Sequence, residues 1–235
     1  MNAWPALQTS LYDGWVLRFA NGYTRRANSI NPIYSSTIDV KEKIKYCRRL
    51  YDSRKLPTMF KLTKAVYPTD LDHILEANGF SFAAETSVQI IDLGRVDARK
   101  DSLIETSHAV DDRWLDSFFR MSKAEIRHKD TLRSMLENII QPRCLASIEN
   151  GDSMVACGLG VIQEKTVGLF DIIVDEDFRG KGLGRRILDG LLSWAKINGA
   201  ESAYLQVMVD NKDAFALYQK LGFTELYRYW YRVKE

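Results

Sequence analysis

Apolar residues along this chain follow two periods, and the change between them is sharpest between positions 169 and 192. Leu169, Phe170, Ile172, Ile173 and Val174 form an apolar, largely β-branched run with one acid, Asp171, inside it. That pattern predicts a strand. Leu183, Ile187, Leu188, Leu191, Leu192 and Ala195 then recur at helical spacing, so one face is apolar and Asn198-Gly199 supplies the stop. Nearer the start, Trp15, Leu17 and Phe19 alternate ahead of Asn21-Gly22, which predicts a β-hairpin over 10–30 with Tyr23 resuming the strand. A helix follows over about 39–54, where Ile44, Cys47 and Tyr51 keep helical spacing. A short strand at 59–62, a helix capped by Thr69 or Asp70 and stopped at Gly79, and a strand at 87–93 complete this half.

The second half reads similarly. Trp114, Leu115, Phe118 and Phe119 open a helix, and 131–140 gives another. Residues 145–149 and 154–161 pair about Asn150-Gly151, and Thr166 begins the strand described above. After the helix come a strand at 203–209, a helix from Asp210-Asn211 closed by Gly222, and a final hairpin or long strand over 224–233. Residues 203–223 echo residues 59–80: both segments read helix, strand, helix, Gly-Phe, strand. Aligned on Gly-Phe, Tyr218 corresponds to Leu75. The organisation expected is therefore two domains, 1–95 and 107–235, joined by a polar linker over 94–106.

Composition narrows the partners. Apolar residues make up 46% and charged residues 27% of the 235, an ordinary globular balance. The net charge of +2 gives no global basic field, so nucleic acid is not an expected partner. Cys47, Cys144 and Cys157 form no C-x-x-C pair, which suits free thiols in a reducing cytoplasm. His73, His108 and His128 lack metal-ligand spacing, so no metal is expected. The first fifteen residues lack a signal-peptide pattern, and no apolar run approaches the ~18 residues of a membrane span.

Between strand and helix lie an acidic break, Asp175-Glu176-Asp177, read as a solvated turn, and then Arg179-Gly180-Lys181-Gly182-Leu183-Gly184. A glycine loop feeding a helix attracts anions, because the first helical N–H groups have no intrahelical partner and the helix dipole is positive there. Arg179, Lys181, Arg185 and Arg186 add charge. The dinucleotide pattern G-x-G-x-x-G fails, since Arg185 or Ile187 falls where its last glycine is needed, and no Gly-Lys-Ser/Thr exists for a P-loop.

The spacing R-G-x-G-x-G resembles the pyrophosphate loop of the GNAT N-acetyltransferase superfamily. The run N-x-x-A-x-x-L-Y-x-x-x-G-F, from Asn211 through Ala214, Leu217 and Tyr218 to Phe223, resembles that superfamily's second conserved segment. Together they cover about residues 107–235, and the N-terminal half resembles a degenerate GNAT domain of a tandem member. Its Asn31-Pro32-Ile33-Tyr34-Ser35-Ser36-Thr37 stands where the second half has the glycine loop.

The resemblance implies an α/β fold with a mixed, mostly antiparallel central sheet flanked by helices. It implies an acetyl-CoA-dependent transfer of an acetyl group to a primary amine, by direct attack in a ternary complex. Backbone groups of Ile172, Ile173 and Val174 would meet the pantetheine arm and the thioester carbonyl. Residues Arg179, Gly180, Lys181, Gly182, Leu183, Gly184 and Arg185 would take the pyrophosphate, Asn211 and Ala214 would complete the cofactor site, and Tyr218 would protonate the departing thiolate. Asp171 is the candidate for binding the amine or relaying its proton. Arg26 and Asn28 are candidate acceptor contacts. The acceptor is a small-molecule or peptide amine, and the protein a monomer or homodimer. The alternative is a CoA-binding regulatory module without turnover.

Overall fold

The computed structural model of the protein describes residues 1–96 and 101–235. The linker expected over 94–106 therefore lies partly outside the described residues. The chain forms two compact units. The smaller comprises Ala6–Ser87, Met208–Asp210 and Tyr227–Glu235, and the larger Met1–Pro5, Val88–Val207 and Asn211–Leu226.

In the smaller unit β1 (Gln8–Tyr12) and β2 (Trp15–Phe19) pair antiparallel about Asp13-Gly14. Both turn residues have positive φ, as a two-residue hairpin turn requires. The hairpin expected about Asn21-Gly22 is corrected here. Tyr23 does not resume a strand; a 3-10 turn at Arg25–Ala27 intervenes, and β3 (Ile30–Pro32) then pairs antiparallel with β2. The cause is Asn28. Its side chain accepts from the N–H groups of Ala20 (2.8 Å) and Gly22 (3.0 Å) and donates to the carbonyls of Tyr23 (2.7 Å) and Thr24 (2.9 Å). These backbone groups are satisfied locally, so no ladder is needed there.

Asp39 caps α1 (Val40–Asp52) through the N–H groups of Lys41 and Glu42. Then come β4 (Thr58–Thr63), α2 (Leu71–Ala77) and β5 (Ser81–Asp92), a longer strand than expected. The last strand of the chain runs antiparallel to β4, from Tyr229 opposite Thr63 to Lys234 opposite Thr58. Trp15, Leu17, Ile30, Tyr51, Phe60, Leu62, Leu71 and Leu75 are fully buried at the centre of this unit.

The larger unit adds β6 (Glu105–Ser107), α3 (Asp112–Ser122), α4 (Lys129–Glu137), β7 (Arg143–Asn150), β8 (Ser153–Gln163) and β9 (Thr166–Val174). In chain order there follow α5 (Leu183–Ile197), β10 (Ser202–Met208), α6 (Lys212–Lys220) and β11 (Thr224–Lys234), a single strand rather than a hairpin, whose residues from Tyr227 onward belong to the smaller unit. The strands of the larger unit lie in the order β6-β7-β8-β9-β10-β5. Pairing is antiparallel from β6 to β9, while β10 is parallel to β9. A parallel neighbour needs a crossover, and α5 provides it. The result is the mixed, mostly antiparallel sheet with flanking helices that the resemblance implies. Ile187, Leu188, Leu191 and Leu192 of α5 are buried against it.

The two Gly-Phe segments close their helices alike. Phe80 N–H donates to Leu75 O and Gly79 N–H to Glu76 O; Phe223 N–H donates to Tyr218 O and Gly222 N–H to Gln219 O. Gly79 and Gly222 both have positive φ, as this C-terminal cap requires.

Candidate functional site

Two local irregularities shape the end of β9. The register with β8 steps from Leu159–Phe170 to Cys157–Ile173, so Asp171 and Ile172 stand against Gly158 alone. This is a β-bulge, and Asp171 sits at φ 52. Its register with β10 ends at Leu169–Leu205. Beyond that point Ile172, Ile173 and Val174 are only half-buried. Gly158 makes room: a Cβ there would lie 2.6 Å from Ile172 Cδ1 and 2.7 Å from Ile187 Cγ2.

The chain leaves β9 through a 3-10 turn at Glu176–Phe178 and enters α5 through the glycine loop. Gly180 and Gly182 are left-handed, at φ 73 and 80. Gly182 is the N-cap, no side chain caps the helix, and its first turn carries no acid. The positive end of the dipole is thus left to an external anion.

A groove of about 800 Å³ lies at this end of α5. Ile172, Ile173 and Val174 line it from β9, and Arg179, Gly180, Gly182, Leu183, Gly184 and Arg185 from the loop and helix start. Asn211, Ala214 and Tyr218 line it from α6. The structure thus brings together the residues expected to hold acetyl-CoA, with the exception of Lys181. That ammonium donates to Asp177 O at 3.1 Å and sits 4.5 Å over the Phe178 ring. Asn211 caps α6 by accepting from Ala214 N–H at 3.2 Å, which couples the two ends of the N-x-x-A pattern. Phe178, Asp213, Leu217 and Lys220 also line the groove. Leu217 belongs to the run already noted, whereas Phe178, Asp213 and Lys220 were not expected, although Asp213, Leu217 and Lys220 follow the i, i+4, i+7 spacing of one helix face.

Tyr218 is buried and lies edge-on to Phe223. Burial pushes its hydroxyl up to about 12, so it carries its proton at neutral pH. Asp171 is not among the groove-lining residues. The ring before it, Phe170, is stacked by Trp4 at 5.5 Å and met edge-on by Tyr204. Cys157 is buried, and burial together with the nearby Asp171 charge raises its thiol well above the usual range, which keeps it an unreactive thiol.

The acidic turn is solvent-exposed at Glu176 and Asp177, as expected, and it is also tied down by two ion pairs. Arg120 of α3 pairs with Asp175 and donates to Met154 O at 2.5 Å, and Lys123 pairs with Glu176 at 2.5 Å. Arg186, counted with the loop's charge, is taken up by Asp101. Arg26 and Asn28 belong to the smaller unit. Asn28 is fully buried and committed to its loop, whereas Arg26 is half-buried. Among the described residues, no group of three or more His, Cys, Asp or Glu could hold a metal ion, and no helix is long and apolar enough to cross a membrane.

Comparison with known proteins gives consistent matches. The family described as probable histone acetyltransferase Rv0428c C-terminal matches residues 1–232. A Bacillus subtilis protein named as the uncharacterized N-acetyltransferase YobR is 28% identical over 236 residues, covering 99% of this chain and 94% of its own. The ribosomal protein bS18-alanine N-acetyltransferase of Salmonella typhimurium is 38% identical over 74 residues, 32% of this chain and 50% of its own. Among solved structures, a GCN5-related N-acetyltransferase from Kribbella flavida matches with a TM-score of 0.66. The match covers 97% of this chain and 90% of that one at 11% identity, a likeness of fold.

Proposed function

The chain belongs to the Rv0428c C-terminal family, within the GNAT acetyltransferases, and from that membership we propose that it transfers the acetyl group of acetyl-CoA to a primary amine by direct attack in a ternary complex. One observation carries the reading. A single groove is lined at once by the uncapped N-terminus of α5, by the end of β9 beyond its pairing with β10, and by Tyr218.

In this reading the amides of Gly180, Gly182, Leu183 and Gly184, with Arg179 and Arg185, hold the pyrophosphate, and Lys181 adds charge beside them. Ile172, Ile173 and Val174 offer backbone groups to the pantetheine arm and the thioester carbonyl, and Asn211 and Ala214 bound the arm's other side. Bound acetyl-CoA supplies an activated acyl group. Donors fixed beside its carbonyl stabilise the negative charge that develops there on attack. As the amine nitrogen bonds to the carbonyl carbon and the C–S bond breaks, Tyr218 gives its proton to the sulfur, and the proton that the nitrogen sheds in becoming an amide returns to the phenolate through solvent. A lysine-type amine, with a pKa of about 10.4, must lose a proton first. Asp171 is assigned to bind the amine or relay that proton; bulges commonly re-aim side chains beside active sites.

We read the N-terminal half as a degenerate second copy of the fold. The order α1-β4-α2-β5 parallels α5-β10-α6-β11, and α2 and α6 end in the same cap. Relatives are named for histones and for a ribosomal-protein alanine, and the acceptor here is a small-molecule or peptide amine. Three free, buried cysteines suit a reducing cytoplasm.

Tyr218→Phe tests the reading. It lowers kcat by about 10²-fold, the ordinary yield of a general acid, and leaves acetyl-CoA affinity intact. An unchanged kcat removes Tyr218 from the chemistry. Binding of acetyl-CoA without turnover on any amine would instead identify a CoA-binding module.

A further inference from the structure

The glycine loop stands clear of the rest of the larger unit. A Cβ added at Gly180 or at Gly182 would meet nothing within 4 Å. Nothing packed against these two positions fixes the loop, so its place is set from its two ends. At the far end α5 is buried against the sheet through Ile187, Leu188, Leu191 and Leu192. At the near end stands Asp175, the residue that follows β9 and opens the 3-10 turn at Glu176–Phe178.

Asp175 is held on every side. Its N–H donates to Val155 O on β8 at 2.9 Å, and its carbonyl accepts from Phe178 N–H at 2.9 Å. Its Oδ1 accepts from Asp177 N–H at 3.2 Å, which caps the turn. Its other oxygen, Oδ2, pairs with Arg120. One oxygen of the carboxylate thus fixes the turn, and the other is itself fixed by the guanidinium.

Arg120 suits that task. It lies in the last turn of α3, a helix seated by its buried Trp114, Leu115, Phe118 and Phe119. Nη1 meets Asp175, while Nη2 donates to Met154 O on β8 at 2.5 Å. A planar fork serves two acceptors at once, which an ammonium on a flexible stem does less rigidly. The guanidinium holds the Asp175 carboxyl below the usual carboxylate range, with the Asp177 N–H adding to the effect. The Asp175 side chain is 15% exposed. The neighbouring pair of Lys123 with Glu176 is far more open, at 67% and 55%, and pairs so exposed contribute little.

We propose that Arg120 is a positioning residue for the anion loop. Through Asp175 it fixes the turn from which Arg179 to Gly184 departs, and so the geometry in which those residues meet a pyrophosphate. The role toward acetyl-CoA rests on the acetyl-transfer reading; the clamp on the turn does not. In Arg120→Gln the carboxylate keeps its bond to Asp177 N–H and loses its anchor on α3, so turn and loop move together.

Two measurements on the full chain test this. NMR follows amide exchange at Asp177 and Phe178 without ligand, and calorimetry follows the binding of acetyl-CoA. In Arg120→Gln, exchange at both amides and the Kd for acetyl-CoA each rise about fivefold, the upper end for one half-exposed ion pair. Exchange at the buried Leu188 and Leu191 of α5 stays unchanged, which separates a local release from a general loss of structure. Arg120→Lys, which keeps the charge, restores part of both effects. Lys123→Ala removes the same charge from the neighbouring pair and leaves both at the wild-type level. Unchanged exchange in Arg120→Gln overturns the clamp, and faster exchange with an unchanged Kd overturns its role in binding. A Kd raised equally by Lys123→Ala would show a general effect of charge and overturn the positioning role. Acetyl-CoA that fails to bind the wild type overturns the acetyl-transfer reading, and amide exchange then decides the clamp by itself.

Discussion

Arg186 and Asp101 meet across a long stretch of sequence: Nε donates to Oδ2 and Nη2 to Oδ1, each at 2.6 Å. The pair is bidentate, and it holds the Asp101 carboxyl below the usual carboxylate range. Nearby, Ile104 packs against Gly190, where a Cβ would come within 2.5 Å of its Cδ1. The segment over 101–104 thus straps the first half of α5, whose N-terminus faces the groove. Arg186→Ala and Asp101→Ala each weaken acetyl-CoA binding by about three- to tenfold, and the double variant is no weaker than either single one, as residues acting through one contact behave. Calorimetric titration of the four proteins checks this; additive losses would mean that Arg186 acts on the nucleotide directly.

At Gly158 the strand β8 lies close against both the bulge and α5. In Gly158→Ala the new methyl meets Ile172 and Ile187 at under 3 Å, and Ile187 is fully buried in the packed core. The half-buried Ile172 gives way toward the groove, and the substitution destabilises by about 1–3 kcal/mol, the usual range for overpacking. Urea unfolding measures the loss, and acetyl-CoA affinity falls with it because Ile172 is displaced.

Tyr218 sets a pH signature. An ordinary phenol ionises near 10, whereas burial holds this one to about 12. The alkaline limb of kcat that belongs to Tyr218 therefore lies above pH 10 and is absent in Tyr218→Phe. The same shift enters stability. The unfolded chain ionises first, near 10, so the contribution of the buried neutral phenol is complete below about pH 10 and is lost as pH rises toward 12. Unfolding midpoints of wild type and Tyr218→Phe, compared across that window, report it. A limb near pH 10 that vanishes in Tyr218→Phe would show an exposed tyrosine.

The groove was legible in the sequence because its parts are local. The switch from strand to helical periodicity, the glycine spacing and the Asn211 cap each lie within a few residues of what they position. Features set by distant partners were not legible. Asn21-Gly22 carries a strong turn signal, yet Asn28 gathers that loop into a different path. The bulge at Asp171 depends on Gly158 in the neighbouring strand. The pairs of Asp175 with Arg120 of α3 and of Glu176 with Lys123 just past that helix join residues more than fifty positions apart. Arg186 reads as loop charge until Asp101 is found beside it. The assignment of Tyr227–Glu235 to the compact unit of Ala6–Ser87 follows from strand pairing, which no local pattern encodes.

The most direct measurement is thermal unfolding with and without saturating acetyl-CoA. A ligand at about 100 times its Kd stabilises the folded chain by about 2.7 kcal/mol, which raises Tm by roughly 5–10 °C for a protein of this size. Gly182→Asp places a side chain and a negative charge at a left-handed helix N-cap and removes the rise. A Tm unmoved by acetyl-CoA, or an equal rise in Gly182→Asp, would contradict the acetyl-CoA groove and the transferase reading that rests on it.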